Sequence, residues 1–65
     1  MSAYYDPLTY GEFISFKPID MPWDRWLSII CGDVPPSFGR NLARGMIESE
    51  AAYHAWLQFA DEVGL

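Results

Sequence analysis

Side chains able to do chemistry are scarce in this chain: there is one cysteine, Cys31, and one histidine, His54, and they stand far apart in the sequence. A thiol beside an imidazole can serve nucleophilic catalysis. Both residues, however, fall inside helical patterns, and Cys31 shares an apolar arc with Leu27 and Ile30, so a buried and chemically quiet thiol is expected. His54 lies on a polar arc and reads as a solvated surface residue. A zinc site needs paired Cys or His at short spacing, and a calcium loop needs Asp or Asn at alternate positions ending in Glu; neither pattern occurs. No Gly-Lys-Ser/Thr follows Gly39 or Gly45, so no phosphate-cradling loop is expected. The expectation is a protein with no catalytic residues, no metal and no cofactor.

The remaining candidates are carboxylates and aromatic rings. The last third of the chain holds Glu48, Glu50, Asp61 and Glu62 and contains no Lys or Arg. On a helical wheel Glu50, His54, Gln58, Asp61 and Glu62 occupy one arc, with Ala52, Tyr53, Ala55, Trp56, Leu57, Phe59, Ala60 and Val63 on the rest. Glu50 and Asp61 would stand about 16 Å apart at 1.5 Å per residue, a spacing at which carboxylates can stand in for phosphates of a nucleic-acid backbone. The competing reading is an ordinary solvated helix face. Some of Tyr4, Tyr5, Tyr10, Trp23 and Tyr53 are expected to stay exposed, because short helices cannot cover two broad apolar arcs. Aromatics bordered by carboxylates suit protein binding, and homodimerisation would use the same patch. The candidate partner-binding residues are therefore Glu48, Glu50, Tyr53, Asp61 and Glu62.

Four short helices are expected to position these groups. Residues 1–8 read as an extended lead-in. Thr9 with Glu12 has capping-box spacing, and Leu8 with Phe13 has that of a hydrophobic staple, which places a first helix over Tyr10–Lys17. A strand over Glu12–Lys17 is the alternative, weakened by the adjacent apolar pair Phe13-Ile14. Pro18 closes that element. Asp20 is the expected cap and Gly32 the left-handed stop of a second helix over Trp23–Cys31. After the Pro35-Pro36 turn, Ser37, or Asp33 as second choice, should cap a third helix over about Phe38–Glu48. That helix should bury Phe38, Leu42, Met46 and Ile47 and turn Arg40, Asn41, Arg44 and Glu48 outward. Ser49 should cap a fourth over Ala51–Val63, ended by Gly64. The expected core is Phe13, Trp26, Leu27, Ile30, Leu42, Trp56, Phe59 and Val63.

With 65 residues, these elements can form only one domain, residues 1–65, all-α and marginal in core size. Eleven aromatic residues and 51% hydrophobic content argue for folding rather than disorder. A net charge of -5 argues against direct binding to nucleic acid or to an anionic membrane and favours a basic partner. A single cysteine permits no internal disulfide, so a reducing cytoplasm is the expected compartment. No signal peptide or membrane span is read in the sequence.

This format, a very short acidic chain crowded with Trp and Tyr and opening on Tyr4-Tyr5-Asp6-Pro7, resembles the small phage-encoded anti-CRISPR proteins. It is similar in particular to those that act as DNA mimics against type I Cascade complexes. The likeness is one of size, charge and composition over the whole chain. It implies a non-catalytic inhibitor in the host bacterial cell that binds the Lys/Arg-rich DNA-recognition surface of a Cas protein through Glu48, Glu50, Asp61 and Glu62. Arg40 and Arg44 depart from a uniformly acidic mimic. The alternative is a small interaction or regulatory module, homodimeric or not, that uses its aromatic patch.

Overall fold

The computed structural model describes residues 9–64, and the expected lead-in, the Leu8 staple and the exposure of Tyr4 and Tyr5 lie outside them. The described residues form four helices and no strand: α1 (Tyr10–Phe16), α2 (Trp23–Cys31), α3 (Pro36–Ala43) and α4 (Glu48–Val63). The longest, α4, packs against each of the other three. No described helix is long and apolar enough to cross a membrane.

The Thr9 capping box starts α1, and so the helix reading of this segment holds over the strand. Glu12 N–H donates to Thr9 Oγ1 at 3.2 Å, and Thr9 N–H donates to Glu12 Oε1 at 3.0 Å. The helix stops one residue earlier than expected. Lys17 is extended because the ring of Pro18 disfavours helical backbone in the residue before it. Its ammonium then straps the turn, donating to Pro18 O at 2.8 Å and Met21 O at 2.7 Å, and lies 4.9 Å from the Trp23 ring centroid.

The bounds and the glycine stop of α2 agree with expectation, Gly32 having φ 84°. Its cap does not: Pro22 occupies that position with no side-chain cap, and Asp20 lies outside. The larger departure is α3, which begins two residues early and ends well short of Glu48. Pro35 and Pro36 carry backbone angles already suited to a helix start, so Ser37 falls inside the helix rather than capping it. Asp33 instead accepts the Val34 N–H at 2.8 Å. At the far end Gly45 adopts φ 96°, a conformation that glycine reaches without strain, and Met46 N–H returns to Asn41 O at 3.2 Å.

That early stop changes which side of α3 is covered. Ser37, Phe38 and Asn41 are buried, whereas Leu42 sits at 36% exposure and Ile47 at 60%. Asn41, expected to face outward, can be buried because its Nδ2 donates to Ala51 O at 3.2 Å. On α4, Ile47 is the uncapped N-cap and Glu48 the first residue, so Ser49 does not cap. Its hydroxyl is instead 2.7 Å from the Tyr10 hydroxyl, joining α4 to α1.

Two devices make the core. Ala51, Ala52 and Ala55 are fully buried, and side chains this small let neighbouring helices approach α4 closely. Above them stands an aromatic hub centred on Phe13, whose ring lies 4.8 Å from Trp26, 5.1 Å from Trp56, 5.3 Å from Tyr53 and 6.2 Å from Trp23. Phe13, Trp26 and Leu27 are buried as expected, and Ile30, Trp56 and Phe59 are half-buried. Val63 is 54% exposed, since the last turn of α4 leaves it on the surface.

Candidate protein-binding surface

Glu48, Glu50, Asp61 and Glu62 are all exposed, and no Lys or Arg among the described residues forms a salt bridge with any of them. Their positions on α4 divide them. At about 100° per residue, Glu50, Asp61 and His54 fall within about 40° of one another and face outward together. Glu48 is about 160° from Glu50 and belongs to another side of the helix. Glu62 is about 100° further round than Asp61, between the angular positions of Ala51 and Ala55, both of which are fully buried.

The polar arc drawn from the sequence thus contains a fully buried alanine. Ala51 occupies it because α3 covers the first turns of α4 on that side, where Asn41 reaches the Ala51 carbonyl. Glu62, at the other end of α4, lines a cavity together with Arg40 of α3. The outward acidic face is therefore narrower than expected: Glu50 and Asp61 at its ends, about 16 Å apart, with His54 between them.

Tyr53 is not part of an open aromatic surface. Its half-buried ring packs edge-on against Tyr10 at 5.5 Å and alongside Trp56 at 6.2 Å, and His54 lies against it at 5.8 Å. Tyr10 and Trp23 are half-buried as well. The apolar surface that the helices leave uncovered comes from other residues. Phe16 is 63% exposed and, with Phe13, Trp26, Ile30 and Trp56, lines an apolar cavity of about 220 Å³. The sequence reading missed Phe16, the last residue of α1, as part of the exposed apolar surface.

Cys31 is half-buried rather than buried, and that burial pushes its thiol above the ordinary value of 9.0. It stays protonated at neutral pH. Among the described residues no three His, Cys, Asp or Glu side chains converge as a metal site. Compared with the profiles of known families, with curated proteins and with solved structures, the chain matches none.

Proposed function

We propose that the protein is a non-catalytic acidic inhibitor that binds the basic, nucleic-acid-binding surface of a partner protein by mimicking DNA, the partner being a Cas subunit of a type I complex. The observation that carries this reading is the unneutralised pair Glu50 and Asp61 on the outward face of one sixteen-residue helix. Over a span of about 16 Å a DNA strand carries several phosphates, one for each ~3.4 Å of helix axis, so the pair can match charges a few positions apart. A continuous helix presents them without a flexible joint, so a cationic groove meets a preset charge spacing. Steering by the net charge of -5 speeds the encounter, and salt screens it. The resemblance to the anti-CRISPR proteins supplies the choice of partner.

The test is a competition between this protein and target DNA for a purified type I Cascade complex at rising salt. Glu50→Lys with Asp61→Lys should abolish binding with helix content unchanged, and the parent's affinity should fall steeply between low and physiological salt. Undiminished binding by the double variant would overturn the reading. In that case the exposed Phe16 beside the apolar cavity favours an interaction module, whose binding would be nearly indifferent to salt and lost in Phe16→Asp.

A further inference from the structure

The end of α4, the start of α3 and the Asp33–Pro35 turn border an open cavity of about 400 Å³, within the size range of small-molecule sites. Its lining brings together polar and charged groups that have few partners within the protein and stay open to solvent. Ser37 is only 6% exposed and lines this cavity; its hydroxyl makes no hydrogen bond among the described residues and keeps access to solvent, since no fully buried side-chain oxygen or nitrogen among them is left without a partner. Arg40 and Glu62 line the same cavity with opposite charges and do not form a salt bridge with each other. Asp33 adds a second carboxylate, one oxygen of which accepts the Val34 N–H. Gln58 supplies an amide and Phe59 an apolar wall.

From this arrangement we propose that the cavity binds a free α-amino acid as its zwitterion. A simple anion would be met by Arg40 and by the positive end of the α3 dipole, but also by the carboxylates of Asp33 and Glu62. A simple cation would be met by those carboxylates but opposed by Arg40 and the same dipole. A ligand that carries both charges complements the whole lining. The α-carboxylate takes Arg40 together with the Ser37 hydroxyl and N–H, the prolines before Ser37 having no N–H to give and the Phe38 N–H being held by Pro35 O at 3.0 Å. The α-ammonium takes Glu62, the free oxygen of Asp33 and the Gln58 carbonyl. An apolar side chain lies against Phe59. This site is separate from the outward face of Glu50 and Asp61, and neither reading depends on the other.

The experiment is calorimetric titration of the full chain with L-leucine and L-phenylalanine, beside N-acetyl-L-leucine and L-leucine methyl ester, each of which lacks one of the two charges. The free amino acids should bind, and each blocked form should bind at least tenfold more weakly. Arg40→Gln and Glu62→Gln should each weaken the free amino acid at least tenfold with an unchanged melting curve, because both side chains are exposed and hold no internal partner. Ser37→Ala should weaken it less. Absence of heat with both amino acids at millimolar concentration, blocked forms that bind as well as the free ones, or binding unaffected by Arg40→Gln and Glu62→Gln would each overturn the proposal.

Discussion

Phe13 stands at the centre of the aromatic packing: it is 1% exposed and four other rings gather on it within 6.2 Å. Phe13→Ala should cost about 3–5 kcal/mol, measured by denaturant unfolding. Trp56→Ala should cost less, because Trp56 keeps part of its surface in water and leaves a smaller void; an equal or larger loss at Trp56 would contradict this ordering. Cys31 gives a prediction in pH. Its proton is held more tightly in the folded state than in the unfolded one, so this contribution to stability is full below about pH 9 and falls as pH rises through the higher folded value. Cys31→Ser should flatten the alkaline fall in melting temperature relative to the parent. Native Cys31 should also alkylate more slowly than the unfolded thiol at the same pH. At this scale the sequence was legible wherever periodicity decides burial, as for Phe13, Trp26 and Leu27. It was not legible for Asn41, whose burial depends on a carbonyl ten residues away on another helix.

The helices were readable from their local signals to differing degrees, and α3 shows why. Thr9 and Glu12, or Gly32 after Cys31, are short-range devices visible in one stretch of sequence. The start of α3 was obscured because Ser37 looks like a cap, while two prolines with helix-ready backbone angles had already begun the helix. Its end was obscured because Gly45 resembles a weak interior residue until its positive φ is known. The two glycines of this region therefore separate cleanly. Gly39 is helical, and a methyl group there would meet no atom within 4 Å, so Gly39→Ala should raise stability by up to about 1 kcal/mol. Gly45→Ala should lower it by about 1–2 kcal/mol, since φ 96° is strained for any other residue. Thermal melts of the two variants moving in the same direction would show that α3 does not end where described. The acidic face was half legible for a similar reason: wheel angles located Glu50 and Asp61 correctly, but α3's course over Ala51 is a tertiary fact that no wheel contains.

At the scale of the molecule, one long helix serves as the surface on which three short ones are arranged. Helices of seven to nine residues are marginal in water on their own, so α1, α2 and α3 depend on α4 for their existence. A chain ending at Ile47 should give a coil-like far-UV spectrum and no cooperative melt, whereas autonomous helix in that fragment would contradict the dependence. The same dependence couples stability to the outward acidic face, because the helix that displays Glu50 and Asp61 also holds the core together. Under the proposed function, a partner would meet Glu50 and Asp61 on a helix already fixed by the fold.

The hub around Phe13 also gives the protein a built-in optical probe. Trp23 and Trp26 stand edge to face at 5.9 Å, and Tyr53 and Trp56 lie nearly parallel at 6.2 Å. At such separations excitation passes between rings before it is emitted, so the three indoles and their tyrosines fluoresce as one pooled emitter rather than as separate reporters. Their coupled transitions also add an aromatic signal to the far-ultraviolet circular dichroism, which distorts any helix content read from that band alone. Intrinsic fluorescence will follow loss of the hub faithfully, and on the outward face of α4 it is touched only through His54, whose ring lies 5.8 Å from that of Tyr53.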